Sequence, residues 1–347
     1  MARKKPGAPH RRPRDDHRVR FHYSFLKILG GSDLSRRRLP YMEARSPQAG
    51  PAVWLTACSH GEEVGGIVVV QEVFKRLRRA TLLKGSLHAF PLMNPLGFEA
   101  GARHVTLSEE DLNRSFPGSP HGTLAERIAD RIFCSIEQTE PLIVLDLHND
   151  WIRSIPYTVL DPPPDSLDPA VADRAAALAA ETGFVLVMEP SPLRKTLSHS
   201  LMLRGVAALT IELGESYVVN EKNVELGVRS VFAVLSNLGM VAAEAEPFRF
   251  AVPEDVRGKV LHYSNQPVSS TSGILRFLVS PGTLVRAGQP VAKVFNAFGR
   301  FQETLSALGD GIVLGHSDSS VAYPGAPVMA FGVTETQADA TCQPNGD

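Results

Sequence analysis

Between residues 50 and 240 the sequence alternates short apolar runs with longer amphipathic segments, and several of the apolar runs end in a titratable residue. The runs at residues 53–57 and 142–147 have the length and composition of buried strands, whereas residues 62–79 repeat their apolar side chains at helical spacing. This alternation predicts an α/β domain with a largely parallel sheet flanked by helices. In such sheets, functional groups gather at the carboxyl ends of the strands.

The same pattern predicts the other elements of this region. We expect further strands at residues 86–92, 157–160, 184–188 and 206–213, and further helices at residues 123–137, 169–182 and 220–238.

After about residue 245 the helical spacing disappears, and short β-like runs alternate with glycine-bearing turns. Two similar segments, GILRFLVSPGTLVRAGQPVAKV and GDGIVLGHSDSSVAYPGAPVMAF, suggest a quasi-symmetric β sandwich. The predicted organisation is therefore a disordered basic tail over 1–20, an α/β domain over 21–245, a β-sandwich domain over 253–333 and a tail over 334–347.

Composition and charge narrow the function classes. Apolar residues make up 43% of the chain and charged residues 21%, which is typical of a globular protein, and no run reaches the roughly 20 apolar residues of a membrane helix. The first twenty residues are basic and lack the apolar core of a secretory signal. Three cysteines without a CxxC pair fit a reducing compartment. We therefore expect a cytoplasmic protein without a membrane partner.

The charge distribution also bears on nucleic acid binding. The first twenty residues carry eight Arg or Lys and two Asp, whereas the whole chain has a net charge of −1, so the body of the protein is mildly acidic. An acidic body argues against a nucleic acid partner. A weak contact between the basic tail and nucleic acid or anionic lipid is a minor alternative, which deletion of residues 1–20 would test.

The segment that follows the first predicted strand contains His60 and Glu63, spaced as HxxE at the junction of a strand and a helix. Imidazole nitrogen and carboxylate oxygen are zinc ligands, and a catalytic zinc site takes three protein ligands and a water. A lone HxxE is also common as a surface coincidence. The spacing alone therefore indicates only a candidate metal pair.

The most apolar strand ends with Asp146 and His148, whose side chains point to the same side because strand side chains alternate. Buried polar groups of this kind need partners. One interpretation is a hydrogen-bonded histidine at a sheet edge. The other is that His148 supplies the third zinc ligand and that Asp146 orients its ring by a hydrogen bond to the other ring nitrogen.

Two further segments carry polar residues that could take part in substrate binding or catalysis. In DLNRSFPG, Asn113 and Arg114 could together hold a carboxylate, or Arg114 could be a solvated loop residue. In TIELG, Glu212 ends another apolar strand and is either paired structurally or placed as a general base.

Taken together, the ordered motifs SHGEE, NPLGFEAGAR, DLNRSFPG, LDLH and TIELG resemble the succinylglutamate desuccinylase/aspartoacylase family, which is related to the zinc carboxypeptidases. The resemblance covers about residues 50–333. It implies a zinc carboxypeptidase-like fold with a mixed, largely parallel sheet, one zinc ion per chain, and hydrolysis of the amide bond of a small N-acyl amino acid or related compound. The acyl group, the amine and any homo-oligomeric state stay open.

Residue by residue, the resemblance implies that His60, Glu63 and His148 bind zinc. It implies that Glu212 activates the attacking water and that Arg103 stabilises the oxyanion. Asn113 and Arg114 match the pair that holds the free carboxylate of the substrate. Arg153 and Arg194 are two further arginines whose position alone suggests a share in substrate binding.

The segment over 253–333 resembles biotinyl and lipoyl carrier sandwiches, but its corresponding turn, VFNAFGR, has no lysine at the tip, and Lys293 lies before the turn. We therefore expect a cap over the active-site mouth or an oligomer contact rather than a carrier.

Two alternative functions remain open: a zinc carboxypeptidase that trims peptides, and a non-catalytic binding module with a degenerate site.

Overall fold

The computed structural model describes residues 18–31, 36–163, 167–243, 246–317 and 319–334. Almost all of the predicted basic tail, and the C-terminal tail from residue 335, lie outside these described residues.

The described chain contains strands that we number in sequence order: β1 (Arg20–Gly30), β2 (Arg36–Arg45), β3 (Ala52–Ala57), β4 (Ser86–Phe90), β5 (Ile143–His148), β6 (Arg153–Ser154), β7 (Tyr157–Leu160), β8 (Val185–Met188), β9 (Ala207–Glu212), β10 (Val260–Ser264), β11 (Gly273–Phe277), β12 (Leu284–Val285), β13 (Pro290–Phe295), β14 (Phe301–Ser306), β15 (Gly311–His316), β16 (Val321–Ala322) and β17 (Met329–Val333). The α-helices are α1 (Gly65–Leu77), α2 (Pro95–Ala100), α3 (Leu124–Glu137), α4 (Pro169–Glu181), α5 (Leu197–Met202) and α6 (Glu221–Asn237).

The strands and helices predicted between residues 50 and 240 are all present, with ends shifted by a few residues. The largest shift is at the first helix, which begins at Gly65 rather than at Glu62. The preceding residues instead form a tight turn, in which the Glu63 amide donates to the His60 carbonyl at 3.2 Å. Glu63 therefore lies in a loop before the helix, and this loop carries both residues of the HxxE pair.

One large sheet organises the chain. Within the described residues its strand order is β1-β2-β4-β3-β5-β9-β7-β8-β10-β17-β15-β12, and β6 pairs with β15. The strands β4, β3, β5 and β9 run parallel to one another, and so do β7, β8 and β10, but β7 is antiparallel to β9. The sheet is mixed, as the resemblance implies. Antiparallel pairs outnumber parallel ones over the described sheet, so its largely parallel character holds only within these two groups of strands. The β1–β2 hairpin and the C-terminal strands add the other antiparallel pairs.

Helices pack against the central strands. Helix α1 contacts β3, β5 and α6, and α6 also contacts α4. Glycine at position 66 suits the close packing of α1, because a Cβ there would lie only 3.0 Å from the Ala57 side chain. Helix α3 begins with a capping box in which Thr123 and Glu126 exchange side-chain hydrogen bonds with each other's backbone amides. The carboxyl ends of β3, β5 and β9 lie at one edge of the sheet, because these strands pair in parallel.

The C-terminal strands fall into two groups. Strands β10, β17, β15 and β12 extend the large sheet, whereas β14, β13, β11 and β16 form a separate four-stranded sheet. A hydrophobic cluster includes residues of both groups, such as Val294 and Phe331. The division of the chain into domains at residues 245–253 stays a prediction. In the part of the chain described here, no helix is both long enough and apolar enough to cross a bilayer.

Candidate metal centre

The turn after β3 is held in place by the loop that contains α2. Gly61 donates its amide to the Ala102 carbonyl at 3.0 Å. A Cβ at Gly61 would lie 2.0 Å from the carbonyl carbon of Gly97, so the turn after β3 needs glycine where it meets this loop. The motifs SHGEE and NPLGFEAGAR therefore form one packed unit, which fixes the position of His60.

His60, Glu63 and His148 lie together at the carboxyl ends of β3 and β5, and each is 3% exposed. The Nδ1 atom of His60 lies 2.5 Å from Oε1 of Glu63, and Nδ1 of His148 lies 2.8 Å from Oε2. One ligand atom from each of the three residues lies within 4.8 Å of the others. The structure thus brings together the three residues that the sequence predicts as metal ligands.

The opposite nitrogen of each histidine faces a carboxylate. Nε2 of His148 lies 2.9 Å from Asp146, which also accepts a hydrogen bond from the Thr56 hydroxyl at 2.7 Å. Nε2 of His60 lies 3.0 Å from Asp111. A carboxylate behind a histidine fixes the ring and its tautomer, leaving the other nitrogen free to bind a metal. The predicted contact between Asp146 and His148 is present.

The carboxylates in this cluster favour a positive charge between them. Burial raises the pKa of Glu63, but the neighbouring charges of His60 and His148 outweigh it and lower that pKa to about 2. Burial likewise lowers the pKa of His148, yet Asp146 and Glu63 raise it well above its usual value. Three carboxylates, Glu63, Asp111 and Asp146, surround two imidazoles here. A divalent cation would supply the charge that the protonated histidines otherwise provide.

The donor set fits a metal ion. Both oxygens of the buried Glu63 carboxylate face an imidazole nitrogen, Oε1 that of His60 and Oε2 that of His148. Two imidazole nitrogens and one carboxylate oxygen converging from buried positions are a set that zinc accepts. The three residues could therefore hold a metal ion.

Glu212 ends β9 and pairs in register with His148 on β5. Its Oε2 atom is buried and has no hydrogen-bond partner in the described chain. Burial, and to a smaller extent Asp150, raise the pKa of Glu212 well above its usual value, while the charge of His148 opposes them. A carboxyl group that binds a proton readily lies beside the candidate metal ligands.

The three other predicted residues also lie at this site. The Arg103 guanidinium donates to Asp111 at 3.1 Å and lies 4.0 Å from Glu62 and Glu63. Asn113 accepts a hydrogen bond from the Leu197 amide at 2.9 Å, so its oxygen is already engaged. Arg114 donates to the backbone carbonyl of Asn113 at 2.8 Å.

All seven predicted residues line one cavity of about 400 Å³. Arg153 and Arg194 do not line it. Arg153 lies in β6, paired with β15, and Arg194 lines a different cavity. Cys58 is buried, its thiol points to the His60 carbonyl, and burial raises its pKa, so it packs in the loop.

Comparison with known proteins identifies the family. The family's sequence model, which describes the succinylglutamate desuccinylase/aspartoacylase catalytic domain, matches residues 49–238, more than half of the chain. The chain belongs to this family.

Individual relatives agree with the family assignment. The N-alpha-acetyl-L-2,4-diaminobutyric acid deacetylase of Halomonas elongata is 28% identical over 258 residues, which cover 71% of each chain. The product-bound ectoine utilization protein of Ruegeria pomeroyi has a similar fold, with a TM-score of 0.76, 21% identity, and coverage of 95% of this chain and 98% of that one. A metallo-carboxypeptidase of Burkholderia cenocepacia shares the fold more distantly, with a TM-score of 0.51, 18% identity, and coverage of 62% and 64%.

Sequence reasoning missed several residues of this family member's cavity. Asp111, which contacts both His60 and Arg103, precedes the Asn-Arg pair by two residues but received no role. Asp161, Glu189 and Tyr263 also line the cavity. Asp161 and Glu189 follow apolar strands, which is the same signal that marked His148 and Glu212.

The contact between Asp146 and His148 gives a first prediction. We expect Asp146→Asn to weaken zinc affinity by roughly 10- to 100-fold, because the amide no longer accepts the imidazole proton as a charged partner. The measurement is competitive zinc binding against a chromophoric chelator. Asp130→Asn, on helix α3 away from the cluster, is the control. An unchanged affinity in Asp146→Asn would contradict the supporting role.

Proposed function

We propose that this protein is a zinc-dependent deacylase that hydrolyses the amide bond of a small N-acyl amino acid or related N-acyl compound, releasing a carboxylate and an amine. The observation that carries this proposal is the buried His60–Glu63–His148 cluster, which opens into a cavity shared with Glu212 and Arg114. Family membership supports the reaction class, and the Halomonas relative is a deacetylase of an N-acetyl amino acid.

In this proposal His60, Glu63 and His148 would hold the zinc ion, the two histidines by the ring nitrogens that face Glu63. The ion would supply Lewis acidity, which lowers the pKa of water to about 7.

The protein's own residues handle the proton and the charge. Glu212 takes a proton from the attacking water on its carboxylate and passes it to the leaving amine. Arg103 stabilises the negative charge that develops on the carbonyl oxygen. The Asn113 amide group and the Arg114 guanidinium hold the free carboxylate of the substrate, which fixes the amide over Glu212.

We further propose that residues 253–333 form a β sandwich of the biotinyl/lipoyl type that caps the cavity. Tyr263, on β10, lines the cavity beside residues of β7 and β9. A cavity of about 400 Å³, to which the C-terminal strands contribute Tyr263, suits a small substrate better than a peptide chain.

The first experiment measures metal content by mass spectrometry on protein purified without added metal. We expect about one zinc per chain in the wild type, loss of zinc in His60→Ala, and retention in His121→Ala, a histidine outside the cavity. Wild-type protein that holds no zinc and takes none up on addition would contradict the proposal and favour a binding module.

The zinc-loaded protein is then assayed on matched panels of N-acyl amino acids and short peptides, with the released amine quantified by chromatography. We expect hydrolysis of N-acyl amino acids. Turnover of peptides alone would identify a carboxypeptidase instead.

A further inference from the structure

The four-stranded sheet formed by β14, β13, β11 and β16 carries a continuous row of apolar side chains on its outer face. The residues that lie opposite one another in register, one from each strand, are Phe301, Phe295, Ile274 and Val321. All of them except Phe295 are more than half exposed. The other face of the same sheet, which includes Leu275 and Val294, is buried in a hydrophobic cluster. Contiguous exposed apolar surface of this kind marks an interaction site.

The hairpin turn between β13 and β14 adds one more aromatic side chain to this row. Phe298, in the turn, is 90% exposed. Hydrogen bonds fix the turn, because the Asn296 side-chain oxygen accepts from the Phe298 and Arg300 amides, each at 3.0 Å. Gly299 has a φ of +75°, a conformation that favours glycine. The fold therefore holds a large apolar side chain in solvent, where its hydration is unfavourable until a partner covers it.

Cations flank the apolar row. Arg276 and Lys293 lie opposite each other in register on β11 and β13. The Arg276 guanidinium lies 5.6 Å from the centre of the Phe295 ring, which places it on the outer face. Arg300 follows at the end of the hairpin turn. Within the part of the chain that the structure describes, none of these three cations forms an ion pair. The surface is therefore apolar at its centre, with unbalanced positive charge beside it.

We propose that the surface formed by the apolar row, Phe298 and the three cations, which we call the Phe298 face, binds an anionic lipid bilayer. Phe298 enters the boundary between headgroups and acyl chains, and the cations lie against the anionic headgroups. An aromatic side chain that projects from a turn suits a deformable bilayer, and the cations match its charge. A second copy of this chain would bring the same unpaired cations to the contact, so charge complementarity favours the lipid.

The contact is with the membrane surface, since no helix in the described ranges is able to cross a bilayer. The expectation of a protein without a membrane partner rested on the lack of a spanning segment, which a surface contact does not need. The proposal is also independent of the deacylase function, because no residue of the Phe298 face lines the cavity of the candidate metal centre.

Both parts of the contact have a measurable size. Burying a phenylalanine side chain strengthens binding by roughly 10- to 100-fold. Each cation close to an anionic bilayer contributes about fivefold. Removal of either part should therefore weaken binding by a factor that a vesicle assay resolves.

The test is co-sedimentation of the full-length protein with two kinds of vesicle, phosphatidylcholine alone and equal parts of phosphatidylcholine and phosphatidylglycerol. The variants are Phe298→Ser and the double variant Lys293→Gln with Arg300→Gln. The matched control is Phe25→Ser on β1, since Phe25 is also well exposed and has the Arg38 guanidinium 5.9 Å from its ring centre. All the substituted side chains are exposed, so the variants should fold, which thermal unfolding checks.

We expect the wild type and Phe25→Ser to bind the anionic vesicles at least tenfold more tightly than the neutral ones. Phe298→Ser should lose about tenfold or more in affinity for the anionic vesicles, and the double variant roughly 20- to 30-fold. Adsorption through the basic residues 1–20 would not respond to Phe298. Unchanged binding in Phe298→Ser, equal binding to both kinds of vesicle, or no binding to the anionic vesicles would overturn the proposal.

A second measurement tests insertion itself. The fluorescence of Phe298→Trp is recorded on anionic vesicles with and without brominated acyl chains, and the wild type, which has two tryptophans, is the reference. We expect the brominated lipid to quench the variant more strongly than the wild type. Vesicle binding without this additional quenching would refute insertion of the turn. Sedimentation velocity without lipid completes the test: a dimer that dissociates in Phe298→Ser and binds no vesicles would refute the lipid and identify a second copy as the partner.

Discussion

Replacing Glu212 by glutamine is expected to leave zinc bound and to lower kcat by about 10²- to 10⁴-fold, the usual contribution of a general base. Glutamine keeps the shape of the side chain but cannot take a proton from water. Glu212 is not among the three candidate ligands, so metal content should not change. Because burial raises its pKa, removing the charge from this position should also not destabilise the fold.

The measurement is kcat on an N-acyl amino acid, together with zinc content and thermal unfolding of the same preparation. Glu215→Gln is the matched control, since Glu215 lies three residues further on and does not line the cavity. The control should keep wild-type turnover. Full turnover in Glu212→Gln, or loss of zinc in that variant, would show that Glu212 is not the general base.

Much of the candidate site could be predicted because its residues stand at positions with a clear local signal. His148 and Glu212 each end an apolar strand, and the two strands are neighbours in the sheet with these residues in register. Parallel strands bring their carboxyl ends to one edge, so the position of each residue at a strand end already suggested that both lie at that edge. The side-chain contact of Asp146 with His148 follows from strand alternation in the same way.

The parts that were missed depend on pairings between distant segments. The β1–β2 hairpin precedes the region where alternation was considered, and its buried and exposed residues alternate only partly. The parallel pairing of β10 with β8 joins residues more than seventy positions apart. Neither pairing has a local sequence signal. The hairpin adds antiparallel strands at one edge, and the β10–β8 pairing joins the antiparallel C-terminal strands to the same sheet, so antiparallel pairs outnumber parallel ones.

The acidic wall of the cavity was missed for a different reason. Asp161 and Glu189 carry the same strand-end signal as Glu212, but they match no part of the family motifs. Motif resemblance selects the residues that relatives share. The geometry of β7 and β8 was needed to show that these two carboxylates face the same cavity as the candidate metal ligands.

Removing the imidazole of His148 is expected to abolish both metal binding and hydrolysis. His148→Ala leaves two of the three ligands, and it leaves Asp146 and Glu63 as buried carboxylates without their shared partner. Breaking a buried charge pair typically costs about 3–5 kcal/mol of folding free energy, so the variant should also be less stable. We expect zinc content to fall from about one per chain to near zero, and turnover to fall with it.

His88→Ala separates a ligand role from general damage to the fold. His88 is 2% exposed, close to the 3% of His148, and lies on β4, two strands away, where it contacts Tyr41 and Ser86. Because its loss also creates a buried defect but touches no candidate ligand, this variant should lose stability and keep its zinc. If His148→Ala remained folded, fully zinc-loaded and active, the ligand assignment would be wrong. If both variants lost zinc in proportion to their loss of folded protein, metal loss would report unfolding, so zinc is measured per folded molecule after size-exclusion chromatography.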